Sequence, residues 1–180
     1  MLKNTKNNQK LFVNIPNILT ISRLFLVFPL IFLLENNNTF YVFFLIILGC
    51  LTDYFDGLIA RRLNLKSKLG AILDALSDKI FYLVPLIFLC KNNLIPFWSL
   101  SLILFRELII SSLRSATEDG LPASKLGKYK TSFFFISLVF FFLPLKIELF
   151  NNLGLIFYWL AFFLSLSTFI DYLRVKKNAV

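Results

Sequence analysis

The chain has 180 residues, of which 58% are hydrophobic, including 23 phenylalanines. A soluble domain of this length could not bury so much apolar surface, so the composition predicts an integral membrane protein and excludes an ordinary soluble domain. The net charge of +9 could indicate a nucleic-acid partner. However, most of the lysines lie in connections between apolar stretches, which is typical of topology signals and of attraction to anionic lipid. We therefore expect membrane lipid, and no nucleic acid, as a partner.

The first predicted elements are a polar arm and a membrane span. Residues 1–14 carry three lysines and are interpreted as a cytoplasmic arm. The apolar stretch that follows contains Arg23 and lacks a small-x-small cleavage site, so a retained span at 18–34 is favoured over a signal peptide. At its entrance Asn17, Thr20 and Arg23 recur every three residues and share a broad helical face. Either a helix entry with a snorkelling arginine or a binding face would explain this pattern.

The second and third predicted spans, 39–61 and 69–90, each contain a pair of aspartates at helical spacing. The pairs are Asp53 with Asp56, and Asp74 with Asp78. An ionised carboxylate in the middle of a bilayer costs about 2.5–3.5 kcal/mol, so these side chains require a compensating partner. Small residues, Gly57, Ala60, Gly70 and Ala71, would let the two helices approach closely. Because the chain has no histidine and residues 53–78 contain no cysteine, facing carboxylates predict Mg²⁺ or Mn²⁺ rather than zinc.

The spacing of this stretch resembles a known family. The pattern Asp53-x2-Asp56-Gly57-x2-Ala60-Arg61-x8-Gly70-x3-Asp74-x3-Asp78 matches the signature of the CDP-alcohol phosphatidyltransferases at every position. The resemblance implies an all-α bundle of six transmembrane helices. It also implies transfer of a phosphatidyl or related phosphoryl group from a CDP-linked donor to an alcohol, with release of CMP. Two metal ions would be held by Asp53, Asp56, Asp74 and Asp78, and Asp78 would also be the catalytic general base.

Donor-binding residues follow in part from the same resemblance. Entrances similar to Pro16-Asn17-x-Leu19-Thr20-x2-Arg23 occur in the family, which favours a polar face that meets the donor diphosphate or the aspartate site. Gly57 would leave room for the nucleotide, while Arg61 and Ser67 would contact its phosphate or cytidine. The complete predicted donor set is Asn17, Thr20, Arg23, Gly57, Arg61, Ser67 and Gly70.

The fourth predicted span, 96–117, contains a second group of charged residues. Arg106 and Arg114 lie eight residues apart and therefore near one face of the helix. Two arginines on one face suit bidentate recognition of an anionic acceptor. Alternatively, Arg106 pairs with Glu107 or with a site aspartate.

The connection 118–131 is basic around Gly127, and we expect a mobile segment that can close over a phosphate. The predicted acceptor set is Arg106, Arg114, Lys125, Lys128 and Lys130. The fifth and sixth spans are predicted at 128–145 and 153–170.

The distribution of basic residues predicts the topology. Fourteen of the 19 lysines and arginines lie on the side of the two termini, whereas Lys91 and Lys146 lie on the other side. This asymmetry places both termini in the cytoplasm, so the aspartates open toward soluble metabolites. No soluble domain or internal repeat is visible, and residues 1–180 are treated as a single membrane domain.

The downstream half indicates a subfamily. The segments 106–114 (RELIISSLR) and 124–131 (SKLGKYKT) are similar to those of bacterial phosphatidylglycerophosphate synthases. That resemblance covers most of residues 14–131 and implies transfer from CDP-diacylglycerol to sn-glycerol 3-phosphate, giving phosphatidylglycerophosphate and CMP. It further implies a multi-pass protein of the cell inner (cytoplasmic) membrane, with the active site facing the cytoplasm. Related enzymes are often dimers, so a homodimer is also an expectation.

Two alternative functions remain. A cardiolipin synthase, or another CDP-alcohol phosphotransferase with a different acceptor, would share the signature. A carboxylate-lined ion carrier would also need acidic residues in the membrane. The carrier would not require Gly57, Arg61 and Gly70 at these offsets, so it is the more remote alternative.

Overall fold

The computed structural model describes residues 21–63, 68–116, 125–145 and 147–177. For 53–63, 68–75, 113–116, 125–126, 128 and 173–177 it describes the backbone alone. The described residues form six helices and no strand. They are α1, described over 21–35, α2 (Thr39–Leu63), α3 (Lys68–Lys91), α4 (Phe97–Ala116), α5 (Lys125–Phe141) and α6 (Glu148–Lys177). Each helix overlaps one predicted span, so the all-helical prediction is confirmed.

Asparagines end two of the helices. Asn37 and Asn93 have left-handed φ angles of 54° and 58°, which asparagine tolerates better than most residues. After α1, Asn38 N donates to Leu33 O at 3.0 Å and Asn37 N to Leu34 O at 3.0 Å. The same pair of bonds recurs after α3, from Leu94 N to Leu89 O and from Asn93 N to Cys90 O. Both ends are therefore Schellman caps, which satisfy the last carbonyl groups of each helix.

Helices α5 and α6 differ at their ends from the predicted spans. α5 begins at Lys125, ahead of the predicted residue 128, so the basic residues 125–130 form its first turns. α5 ends at Phe141, short of residue 145, because Pro144 disfavours helical backbone at the residue before it. α6 begins at Glu148, ahead of the predicted residue 153. A carboxylate in the first turn is favourable there, since it faces the positive end of the helix dipole.

The chain divides into two compact units, Met1–Pro85 and Leu86–Val180. In the first unit, the fully buried side chains include Leu30 of α1, Ile46 of α2 and Phe81 of α3. Gly49 of α2 is buried against the ring of Phe81, where a Cβ atom would overlap the ring. The absence of a side chain at Gly49 is therefore what allows α2 and α3 to approach here.

In the second unit, α5 and α6 pack in opposite directions. The rings of Phe133 and Phe140 both stack on Phe157, with centroids 6.0 and 5.5 Å apart. Between these contacts the Ser137 hydroxyl donates to the Gly154 carbonyl at 2.7 Å. The hydroxyl thus satisfies its hydrogen-bonding need inside an apolar interface, which removes the cost of burying it.

Helix α4 runs alongside α6 in the same direction. The Ser99 and Tyr158 hydroxyls are 2.6 Å apart, and the Trp98 and Trp159 rings are 5.6 Å apart. Ser99 also donates to the carbonyl of Pro96, the residue that precedes α4. This proline position agrees with the sequence, because proline lacks the N–H that a first turn leaves unpaired.

Among the described residues, one helix is long and apolar enough to cross a membrane, at Glu148–Tyr172 in α6. Thr39–Thr52 and Tyr129–Phe141 are shorter apolar helices. Charged residues interrupt the apolar run in α4, where Arg106 and Glu107 lie mid-helix. Six membrane crossings therefore remain a prediction.

We predict that Gly49→Ala destabilises the first unit by about 1–3 kcal/mol, the usual cost of overpacking a well-packed core. The Phe81 ring is completely buried, so it cannot swing into solvent to make room. Gly154→Ala is the matched control: its Cβ would lie 3.0 Å from Phe141 Cδ2, on a ring that is only half-buried. The melting temperatures of both variants and of wild type, measured by thermal unfolding in detergent, check this prediction. Equal melting temperatures for Gly49→Ala and wild type would show that α2 and α3 do not pack closely at this point.

Candidate functional site

The signature aspartates occupy two helices of the first unit. Asp53 and Asp56 lie on α2, and Asp74 and Asp78 lie on α3. The backbone thus has the helical spacing that the sequence predicts, with each pair near one face of its helix. The side chains of Asp53, Asp56 and Asp74 lie outside the described side chains, as do those of Gly57, Arg61 and Gly70. Ser67, Asn17 and Thr20 lie outside the described residues altogether.

Arg23 reaches the last aspartate of the signature. Its Nη1 donates to Asp78 Oδ1, joining α1 to α3 across 55 residues of sequence. The arginine is 1% exposed, so its guanidinium does not snorkel to a water interface; it lies buried beside a carboxylate. The Asp78 side chain keeps 30% of its exposure, which leaves part of the carboxylate accessible. Of the two roles predicted for the entrance face, this contact at Arg23 corresponds to the aspartate site.

The second unit contains a buried ionic cluster, formed by Arg106, Glu107, Lys130 and Thr168. Arg106 Nη1 donates to Glu107 Oε1 at 2.6 Å, and Arg106 Nη2 donates to Thr168 Oγ1 at 2.6 Å. Lys130 Nζ forms an ion pair with the same Glu107 oxygen. The three charged residues are each 4% exposed. The cluster therefore links α4, α5 and α6 through charge-assisted hydrogen bonds.

Because the cluster is buried, its positive and negative charges must compensate one another. Removing an ion from water costs several kcal/mol, and close partners must repay that cost. Glu107 Oε1 accepts from both cations, so one carboxylate oxygen serves two positive groups. Arg106 Nε, however, is buried and has no hydrogen-bond acceptor among the described residues. The same is true of Ser165 Oγ, one turn before Thr168 on α6.

The structure joins two of the five predicted acceptor residues, Arg106 and Lys130, through Glu107. The pairing of Arg106 with Glu107 is the alternative that the sequence left open. The side chains of Arg114, Lys125 and Lys128 lie outside the described set. Sequence reasoning missed Thr168, whose only signal is a hydroxyl among apolar residues of α6.

The predicted metal site is not tested by the described side chains. Among them, no group of three or more histidine, cysteine, aspartate or glutamate residues lies close enough to hold a metal ion. Three of the four predicted ligands fall outside that set. The chemistry of the donor set, carboxylate oxygens alone, fits Mg²⁺ or Mn²⁺.

Comparison with known proteins gives concordant matches. The family model described as CDP-alcohol phosphatidyltransferase matches residues 13–167. A Rickettsia typhi protein named CDP-diacylglycerol–glycerol-3-phosphate 3-phosphatidyltransferase is 33% identical over 174 residues, which cover 92% of this chain and 98% of the relative. Proteins of the same name from Wigglesworthia glossinidia brevipalpis and Cereibacter sphaeroides are 42% and 35% identical, over 67% and 75% of this chain and 71% and 66% of their own lengths.

Proposed function

The chain belongs to the CDP-alcohol phosphatidyltransferase family, and on that premise we propose that it is a phosphatidylglycerophosphate synthase. The reaction transfers a phosphatidyl group from CDP-diacylglycerol to sn-glycerol 3-phosphate and releases CMP. One observation carries the proposal: a relative with this activity in its name aligns over nearly the whole of both chains. The eight signature positions, from Asp53 to Asp78, are all present in the aligned region.

The acceptor is a phosphorylated alcohol, and the basic residues of α4 and α5 suit it. Arg106 and Lys130 lie together in the buried ionic cluster. Arg114 follows Arg106 by two helical turns on α4. A guanidinium can bind two oxygens of one phosphate in a plane, whereas an uncharged alcohol would not need such a group.

Asp78 is the proposed general base, since the chain has no histidine to take the proton of the acceptor hydroxyl. The Arg23 guanidinium orients this carboxylate from α1. Asp53, Asp56, Asp74 and Asp78 would hold two Mg²⁺ or Mn²⁺ ions, which when bound would offset charge on the diphosphate and stabilise CMP as leaving group.

The proposed setting is the inner (cytoplasmic) membrane, crossed six times, with both termini and the active site on the cytoplasmic side. Large apolar side chains of α1 support this: Phe25, Phe28 and Phe32 are each at least two-thirds exposed and recur at helical spacing. Such a face suits lipid better than water. The excess of basic residues in the arm, the tail and two connections supports the orientation.

The decisive experiment is an acceptor panel with purified protein and CDP-diacylglycerol. Glycerol 3-phosphate is expected to give CMP and phosphatidylglycerophosphate, with loss of activity in EDTA and recovery with Mg²⁺. Phosphatidylglycerol as the preferred acceptor would instead identify a cardiolipin synthase. A protein that releases no CMP with any alcohol, while moving ions across vesicles, would be a carrier.

We predict that Arg114→Ala raises the KM for glycerol 3-phosphate about 10- to 150-fold, because a charge-assisted hydrogen-bond pair is worth about 1.5–3 kcal/mol. The KM for CDP-diacylglycerol should change little. Arg114→Lys should recover part of the loss, since an ammonium cannot make the planar two-pronged contact. Steady-state kinetics with each substrate varied in turn provide the measurement. If Arg114→Ala weakens the donor alone, this face of α4 belongs to the diphosphate site.

A further inference from the structure

We propose that Thr168 is a positioning residue for the acceptor site. Its hydroxyl, together with Glu107, fixes the guanidinium of Arg106 so that the Nε–H of Arg106 remains available to a phosphate oxygen of the acceptor. This inference rests on the proposed function, since it names a residue that acts on the acceptor through Arg106. It also brings α6 into the site, although the sequence of that helix carries no motif.

The hydrogen-bonding direction at Thr168 is determined by its partners. Arg106 has only donors, so the Thr168 hydroxyl must accept from Nη2, at 2.6 Å. Its own hydrogen is then directed to the helix backbone, where Leu164 O and Ser165 O lie at 3.0 and 2.9 Å. The side chain is completely buried. Thr168 thus presents a lone pair, held in a fixed direction, to one nitrogen of the guanidinium.

The Nε–H donor of Arg106 indicates a ligand. Glu107 holds Nη1 and Thr168 holds Nη2, whereas Nε is buried with no acceptor in the described part of the chain. An unsatisfied donor on a buried cation is costly, and such groups in native proteins call for a specific explanation. A phosphate oxygen beside Nε would satisfy this donor.

Ser165 adds a second polar group at the same level of α6. Its Oγ is buried without a partner among the described residues, one turn before Thr168. A hydroxyl can donate to a phosphate oxygen or accept from the acceptor alcohol. The Ser99–Tyr158 bond and the Trp98–Trp159 contact also join α4 to α6, nearer the N-terminal end of α4.

A neighbouring serine provides a matched control. The Ser167 hydroxyl donates to the same Leu164 carbonyl at 2.9 Å, but on the exposed side of α6. Ser167→Ala therefore removes the same kind of backbone bond without touching Arg106. A comparison of the two positions separates loss of the guanidinium contact from a general effect of losing a hydroxyl on this helix.

The test uses full-length protein in lipid nanodiscs, with the KM of each substrate, kcat and thermal unfolding measured for each variant. Wild-type transfer to glycerol 3-phosphate, measured first, tests the proposed function by itself. Thr168→Val, which keeps the shape, is expected to raise the glycerol 3-phosphate KM about tenfold, with the CDP-diacylglycerol KM within about twofold of wild type. Thr168→Ser keeps the hydroxyl and should therefore have the wild-type KM for glycerol 3-phosphate. Ser167→Ala should also leave this KM unchanged.

The positioning role is overturned if Thr168→Val unfolds at a lower temperature but keeps the wild-type acceptor KM, because Thr168 is then purely structural. It is also overturned if Thr168→Val and Ser167→Ala raise the KM equally. If the valine variant does not fold, Thr168→Ser still tests the inference. The inference requires the folded serine variant to have the wild-type KM for glycerol 3-phosphate. A raised KM in that variant contradicts it.

Discussion

We expect Asp74→Asn and Asp53→Asn each to abolish phosphatidyl transfer, while the variant proteins still insert into the membrane. Asparagine keeps the size of the side chain and one oxygen, but loses the negative charge that a divalent cation requires. Because the signature carboxylates would share their cations with the donor diphosphate, the loss of one ligand also weakens the positioning of the reacting phosphorus. We expect this to be the largest loss of activity from any single substitution in the chain.

CMP release from CDP-diacylglycerol, measured at several Mg²⁺ concentrations, checks this prediction. Asp171→Asn is the control, since Asp171 is an exposed aspartate of α6 outside the signature, and it should retain wild-type turnover. Insertion is verified by extraction and gel filtration. Wild-type turnover by an inserted Asp74→Asn protein would mean that these carboxylates do not hold the catalytic metal.

Local sequence patterns predicted the helices and several of their ends well. Apolar runs bounded by polar connections are sufficient for that. The left-handed asparagines that cap α1 and α3 were found only in the structure. The ends of α5 and α6 were predicted less well. There the competing signals were Pro144, which shortens α5, and Glu148, which begins α6 earlier.

Contacts between distant residues could not be predicted from periodicity. Glu107 and Lys130 are separated by 23 residues and lie on different helices, so only tertiary packing determines that they meet. Thr168 was inconspicuous because a lone hydroxyl on an apolar helix usually bonds its own backbone. The sequence placed Arg23 on a polar helical face and left two possible contacts for that face, the donor diphosphate and the aspartate site. The structure supplies the particular carboxylate, Asp78.

The buried ionic cluster should make Glu107 a major determinant of the stability of the second unit. Removing one partner of a buried ion pair typically costs about 3–5 kcal/mol, because the remaining charge loses its compensation. Glu107→Leu leaves both Arg106 and Lys130 without this carboxylate, so its melting temperature is expected to fall sharply. Glu107→Gln keeps the shape of the side chain and one acceptor oxygen, so its melting temperature should fall less. Glu148→Gln, at an exposed glutamate of the same unit, should change stability by less than about 1 kcal/mol.

A double substitution distinguishes charge compensation from packing. If the destabilisation arises from uncompensated buried charge, Lys130→Met should recover part of it in the Glu107→Gln background, because an apolar side chain can replace a buried charge with little net cost. Lys130→Met alone should destabilise less than Glu107→Leu, since Arg106 still neutralises the carboxylate. Thermal unfolding of the single and double variants gives the coupling between the two positions. Strictly additive losses would show that Glu107 and Lys130 do not interact, and that the helices of this unit are held together by their apolar contacts.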